Sequence, residues 1–160
     1  MDFTESIKKN NILLKSKSTN RWELIEELID LAVKNKEIEE SDCDEIKKNL
    51  TTRERSMSTG IGNGVAIPHC TTAKIKDIVF LMSIIPNGMD FDSIDNQLVK
   101  IIILLLVPKN KLSQHIKTLA NIAKLMSNEN LRKKITTLKT PESIIKALKD
   151  HEKVKNKNHE

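Results

Sequence analysis

The sequence predicts a single α/β domain, built on a mixed sheet of roughly four to five strands with helices on both faces. A continuous apolar run, IIILLLV at residues 101–107, is typical of a strand buried on both faces. Short strand-like runs alternate along the chain with segments of helical spacing. The 160 residues suit one ordinary domain. We expect that domain at residues 1–153 and a disordered basic tail at 154–160.

Capping residues and apolar spacing place the helices. Asn20 can cap a helix over RWELIEELIDLAVKN. A second helix is predicted from Ser41, with Asp44 three residues on in the manner of a capping box, through TTRERSM. A shorter helix over NENLRKKITTL is followed by one that begins at Pro141. The helix over 109–127 is predicted to present one apolar face, made of Ile116, Leu119, Ala120, Ala123 and Met126.

Strands are predicted at 11–16, at VAIPH (65–69), at 77–85 and at 99–108, with a turn-rich loop over 86–97. The last of these strands contains the IIILLLV run and should lie at the centre of the sheet. Seven apolar residues are too few to cross a bilayer, which takes about 20 in a helix. We therefore expect no membrane insertion.

Charge and cysteine content exclude several classes of protein. The formal charge is +5, and the excess Lys and Arg lie largely near the chain ends, with few aromatics for base stacking. No nucleic-acid partner is expected. The two cysteines, Cys43 and Cys70, and a start without an apolar signal core indicate free thiols in a reducing cytoplasm.

Three of the four glycines, Gly60, Gly62 and Gly64, precede the predicted strand that ends at His69. A phosphate-binding P-loop would need a lysine after its last glycine, and a dinucleotide fingerprint would need a helix to follow rather than a strand. Adjacent His69 and Cys70 point to opposite faces of a strand, which disfavours a metal site. The sequence therefore predicts no cofactor and no metal.

A nucleophilic role for His69 is the third possibility. A histidine that attacks phosphorus needs a fixed ring, donors or cations for the phosphoryl oxygens, and a partly dry rim. Arg53 and Arg55 lie upstream, His115 follows the central strand, and the glycines could bring backbone N–H groups close. A packed, hydrogen-bonded histidine that ends an apolar strand fits the same pattern, so both interpretations stay open.

The segment TTRERSMSTGIGNGVAIPH resembles the phosphorylation-site segment of the enzyme IIA domains of the fructose/mannitol family, in the bacterial phosphoenolpyruvate:sugar phosphotransferase system. MDFDSIDNQLVKIIILLLVP and QHIKTLANIAKLM are similar to further segments of that family. The resemblance covers roughly residues 10–150. The segment STGIGNGVAIPH, together with IDNQ, is most similar to the nitrogen-regulatory (PtsN-like) branch.

The resemblance implies a role for three residues. His69 matches the histidine that accepts a phosphoryl group from an HPr-type phosphocarrier protein. Arg53 matches the arginine that stabilises the charge of the phosphoryl oxygens, and His115 matches a second histidine that hydrogen-bonds the phosphoryl group. The family's partners downstream are a IIB domain or a regulatory target. Ile61, Val65 and Ile67 are candidates for an apolar collar that docks the donor, although some of them must belong to the core.

Cys70 departs from the family, which usually has glycine after the active histidine. We expect it to be a small packed residue that faces away from His69, provided the backbone there does not need positive φ. A regulatory phosphocarrier is the function the resemblance favours. The alternatives are a sugar-transport component that passes phosphate to a IIB cysteine, and a binding module that has lost phosphotransfer.

Overall fold

The computed structural model describes residues 2–158, with side chains through Val154. Its helices are α1 Phe3–Ser6, α2 Arg21–Lys34, α3 Cys43–Ser56, α4 Leu112–Leu125, α5 Glu129–Ile135 and α6 Pro141–Asn158. Its strands are β1 Ile12–Leu13, β2 Gly60–Gly62, β3 Val65–Ala66, β4 His69–Thr72, β5 Val79–Met89 and β6 Val99–Pro108. None of the described helices is long and apolar enough to cross a membrane.

Strand β6 is the centre of one mixed sheet. It pairs antiparallel with β5 and parallel with both β3 and β4, while β1 runs parallel to β5 and β2 antiparallel to β3. The fold class is confirmed, but the sheet has six strands. The predicted strand VAIPH is divided at Pro68, which has no N–H for the ladder, and the glycine segment adds β2.

Both faces of the sheet are covered by helices, as predicted. Alternate residues of β6 enter two separate cores: Ile102, Leu104 and Leu106 pack with α2 and α3, whereas the residues between them pack with α1, α4, α5 and α6. The side chains from Ile101 to Val107 are at most 1% exposed. The uninterrupted apolar run therefore reflects burial on two sides.

The boundaries of α2 follow from its cap. The Asn20 side chain accepts a hydrogen bond from the Glu23 N–H at 3.0 Å, as the sequence predicts. Helix α3 instead begins at Cys43, after a 3₁₀ turn over Glu40–Asp42 and without a side-chain cap. The capping box expected at Ser41 is therefore absent.

Two elements are longer in the structure than the sequence predicts. Strand β5 continues to Met89, through residues predicted as a turn, because Met89 still pairs with Val99 beyond a register shift. Helix α6 continues to Asn158, so the tail predicted as disordered from residue 154 is helical as far as it is described. Residues 159–160 of that tail lie outside the described residues.

The buried face of α4 agrees only in part with the predicted one. Leu119 packs against the core and Met126, directly after the helix, is 1% exposed, whereas Ile116 is 64% exposed. The buried residues within α4 are His115, Thr118, Ile122 and Leu125. Apolar spacing misplaced part of the face because two of the buried positions are polar. The Thr118 hydroxyl donates to the Gln114 carbonyl at 2.8 Å, so its burial leaves no unpaired donor. Because the buried face includes position 115, the His115 side chain points toward the interior.

Candidate active site

One surface cleft brings together all three residues that the resemblance implicates. Arg53 from α3, His69 from the start of β4 and His115 from the first turn of α4 all line it. Helix α3 also contributes polar residues that are about one turn apart. Thr71 of β4 and Lys109, directly after β6, complete the cleft. The further lining residues are Lys48, Asn49, Thr52, Ser56 and Cys70.

The sheet positions the two histidines. His69 lies opposite Leu105 in the parallel pair of β4 and β6, and β6 then ends at Pro108, a few residues before α4. The first turn of α4 therefore returns to the end of the sheet where His69 lies. The centroids of the His69 and His115 rings are 5.1 Å apart, with 52° between the ring planes.

The orientation of His69 is fixed by its own backbone. Its Nδ1 lies 2.8 Å from the Ile67 carbonyl oxygen. A carbonyl can only accept, so Nδ1 carries the proton and the Nε2 lone pair is left free. Burial lowers the pKa of His69, and the Arg53 and His115 charges lower it further, against the opposing effect of the Ile67 hydrogen bond. The ring is therefore neutral near pH 7 and available as a nucleophile.

His115 is the more buried ring, at 8% exposure. Its Nδ1 has no hydrogen-bond partner among the described residues. Burial, followed by the Arg53 charge, lowers its pKa. The ring lines the cleft 5.1 Å from that of His69, so both rings can contact one group bound in the cleft.

Positive charge surrounds the two rings. Arg53 lies in the last turn of α3, where its Nη1 donates to the Met57 carbonyl at 3.2 Å. Lys48 and Lys109 line the same cleft. Two neutral histidines among three cations suit an anion such as a phosphoryl group. Within residues 2–158, no group of three His, Cys, Asp or Glu side chains is placed to hold a metal.

The glycine segment serves a different purpose from the one expected. A Cβ on Gly60 would lie 2.2 Å from the Ser93 Oγ, and Gly62 and Gly64 have φ of +97° and +77°. These glycines allow close packing against residues 93–98, and none of them lines the cleft. The hypothesis that their N–H groups surround His69 is therefore wrong.

Cys70 is a packed residue, as expected. It is 8% exposed and belongs to the core beneath α2 and α3, on the opposite side of β4 from His69. Burial raises the pKa of its thiol to about 12. Among residues 2–158, positive φ outside glycine occurs only at Lys36, Asn63, Asp92 and Asn96. The family's glycine is therefore not needed for backbone conformation here.

The apolar rim differs from the predicted collar. Val65 and Ile67 are core residues, 1% and 4% exposed, and of the three predicted residues only Ile61 is exposed. Met57, directly after α3, and Leu112 and Ile116, in the first turns of α4, are exposed apolar side chains within four residues of Arg53 or His115 in the sequence. Their closeness to these two residues in the sequence is the signal that indicates an apolar rim there.

The fold and the cleft define a single-domain α/β protein with paired histidines and an arginine at one end of a mixed sheet. The family model described as "Phosphoenolpyruvate-dependent sugar phosphotransferase system, EIIA 2" matches residues 5–151. The chain therefore belongs to the EIIA type 2 family of the phosphotransferase system.

Three relatives illustrate the similarity. A nitrogen regulatory protein of Bradyrhizobium diazoefficiens is 30% identical over 148 residues, covering 92% of this chain and 95% of its own. The fructose-specific EIIABC component of Bacillus subtilis is 27% identical over 96% of this chain, which spans only 24% of that relative's length. The crystal structure of nitrogen regulatory protein IIA-Ntr from Neisseria meningitidis matches with a TM-score of 0.81 and 28% identity, covering 91% of this chain and 97% of that one.

Proposed function

We propose that the protein is a phosphocarrier that accepts a phosphoryl group on Nε2 of His69 from an HPr-type protein, and that it acts in regulation. The observation that carries the proposal is the hydrogen bond between His69 Nδ1 and the Ile67 carbonyl, at 2.8 Å. It leaves one ring nitrogen with a free lone pair, inside a cleft that also contains Arg53 and His115.

The transfer is an in-line displacement between two imidazoles. The Nε2 lone pair of His69 forms the new N–P bond while the P–N bond of the donor breaks and its electron pair returns to the donor's nitrogen. Each ring keeps its proton on the nitrogen that carries no phosphorus. The Ile67 carbonyl holds that proton on the His69 side. No metal or further cofactor enters the step.

The protein's contribution is positioning and electrostatics. The Arg53 guanidinium faces the charge spread over the equatorial oxygens, for which its two parallel donors are suited. The His115 ring, with its centroid 5.1 Å from that of His69, donates a hydrogen bond to a phosphoryl oxygen through the ring nitrogen that faces the cleft.

The regulatory role is supported by the similarity to nitrogen regulatory proteins, of which the Bradyrhizobium protein is 30% identical over 92% of this chain. In a regulatory protein, the phosphorylation state of His69 would be read by a target protein. The two free cysteines fit a reducing compartment, and we place the transfer in the cytoplasm.

Transport is the second candidate function. The Bacillus relative is named as a fructose-specific EIIABC component, so its enzyme IIA region is one part of a sugar transporter. In that role, His69 would pass its phosphoryl group to the cysteine of a IIB domain. Incubating the ³²P-labelled protein with IIB domains from the same cell separates the two functions: rapid loss of label to a IIB domain supports transport.

The proposal is tested by labelling with phosphoenolpyruvate, enzyme I and HPr. We expect one phosphoryl group per chain in the wild-type protein and none in His69→Ala. His115→Ala should still label, but about 100-fold more slowly, because one donor to the transition state is removed. Full labelling of His69→Ala contradicts the proposal. A folded wild-type protein that takes no label, yet captures a protein partner, favours the non-catalytic binding module.

A further inference from the structure

A buried carboxylate lies one residue beyond Arg53 and outside the cleft. Glu54 is 2% exposed, and both of its oxygens accept hydrogen bonds from one residue: the Thr59 N–H at 2.6 Å and the Thr59 hydroxyl at 2.5 Å. Thr59 is itself 5% exposed. A buried carboxylate is costly unless it is well paired, so this double contact marks a position that the fold holds closely.

Two further hydrogen bonds, both to the backbone of Ile67, link Thr59 to the His69 ring. The Thr59 carbonyl accepts a hydrogen bond from the Ile67 N–H at 3.0 Å. The carbonyl of the same Ile67 accepts the proton of His69 Nδ1 at 2.8 Å. Glu54 therefore holds Thr59, and Thr59 holds the N–H of Ile67. The carbonyl of the same residue, in the next peptide unit, sets both the tautomer and the orientation of His69.

Glu54 also connects the two segments of the chain that carry the site residues. Helix α3 carries Arg53, whereas the segment from Thr59 to His69 carries the acceptor, and Glu54 joins them directly. Burial raises the pKa of Glu54, and the hydrogen bonds from Thr59 and the charges of Arg21 and Arg53 oppose that shift. A shift of Thr59 relative to α3 would change the distance between the guanidinium and the ring that it serves.

We propose that Glu54, acting through Thr59 and the backbone on both sides of the Ile67 Cα, is a positioning residue that keeps His69 as the Nδ1–H tautomer and in register with Arg53. The expected effect on the rate rests on the proposed phosphoryl transfer. The expected effect on the His69 tautomer does not, because it is measured in the unphosphorylated protein. Glu54 does not contact the reacting atoms.

The test is a Glu54→Gln variant, in which one carboxylate oxygen becomes an NH₂ group that cannot accept from Thr59. The first readout is the ¹⁵N spectrum of the imidazole in the unphosphorylated protein, which distinguishes protonated from bare ring nitrogens. We expect the wild-type ring to carry its proton on Nδ1, and a measurable Nε2–H population in the variant. The second is the rate of phosphoryl acceptance, which should fall about tenfold with an unchanged donor KM.

The Thr59→Val and Thr59→Ser pair covers the case in which Glu54→Gln does not fold. Valine removes only the hydroxyl, while serine keeps it, so Thr59→Ser should restore both the wild-type tautomer and the wild-type rate. A purely structural role would lower the melting temperature but leave the tautomer of the folded protein unchanged. Unchanged tautomer and rate in folded Glu54→Gln, or in Thr59→Val if the Glu54 variant is unfolded, overturn the inference.

The two proposals fail in different ways. If the wild-type protein accepts no phosphoryl group, the proposed function is wrong, and the tautomer comparison still decides the role of Glu54. If the wild-type ring instead carries its proton on Nε2, the positioning role is wrong even where labelling succeeds.

Discussion

At the scale of single residues, His69 combines a bound proton on one nitrogen with a free lone pair on the other. The sequence could place this residue only at the end of an apolar strand, where a packed histidine is equally common. Its tautomer depends on the Ile67 carbonyl two residues back, which faces the ring because Pro68 separates β3 from β4. That geometry has no signature in the pattern of residue types.

The lowered pKa of His69 gives a titration that can be measured. Since burial and the Arg53 charge both disfavour the imidazolium, the ring should still be mostly neutral at pH 6.5, the ordinary pKa of histidine. An NMR titration of the His69 Cε1–H should therefore have its midpoint below 6.5. Arg53→Gln should move the midpoint upward, and a wild-type midpoint above 6.5 contradicts the description of the site.

The sign of the accompanying stability change follows from linkage. Both His69 and His115 have lowered pKa values in the folded state, so the unfolded chain binds more protons as the pH falls below about 6.5. The free energy of unfolding should therefore decrease through that range.

Cys70 supplies a second prediction at this scale. Because burial raises the pKa of its thiol to about 12, the native protein should leave Cys70 unmodified by a thiol reagent at pH 8, and unfolding should expose it. Cys70→Ala should cost about 1 kcal/mol of stability and leave phosphoryl acceptance unchanged. Loss of acceptance in a folded Cys70→Ala protein would give the thiol a chemical role instead.

At the scale of elements, the sequence predicted the central strand and the long helices well, because apolar periodicity and caps are local. It failed where contacts between distant segments decide the conformation. The glycine segment is the clearest example, since its conformation is explained by residues 93–98, more than 30 positions away. Helix α4 is another, because its buried face includes the polar residues His115 and Thr118.

The glycine segment can be tested with a pair of alanines. Gly60→Ala places a Cβ 2.9 Å from the Ser93 Cα, a backbone atom that cannot move alone, and should cost about 3 kcal/mol. Gly64→Ala is the control, because its Cβ would meet nothing closer than 3.5 Å and only the positive φ is strained, at about 1 kcal/mol. Urea unfolding measures both. Equal losses would mean that close packing on Ser93 is not what requires glycine at position 60.

At the scale of the whole molecule, β3 pairs with the first part of β6 and β4 with its last part. The segments that precede β3 and those around β4 therefore lie at opposite ends of the central strand. The cleft lies at the end of β6 that leads into α4, whereas the glycine segment and residues 93–98 lie at its beginning. Exposed apolar side chains occur at both ends, with Ile116 beside His115 and Ile94 on the opposite side. The sequence alone does not reveal this separation, because it depends on the sheet order.

A matched pair of substitutions tests which surface receives the donor. Ile116→Ser should raise the KM for the HPr-type donor roughly tenfold, or ~1.4 kcal/mol of binding energy, by removing an apolar contact at the rim. Ile94→Ser changes a similarly exposed residue at the far end and should leave the KM unchanged. Neither should alter stability by much, since both side chains are largely exposed. The reverse ranking would place the docking surface at the glycine segment.

The most direct measurement of the central claim is the ³¹P–¹⁵N correlation spectrum of the protein after phosphorylation by its donor. The structure predicts a single phosphohistidine at His69, with phosphorus bonded to Nε2 and the proton kept on Nδ1 by the Ile67 carbonyl. Phosphorus on Nδ1 of His69, or on any other residue, would contradict it.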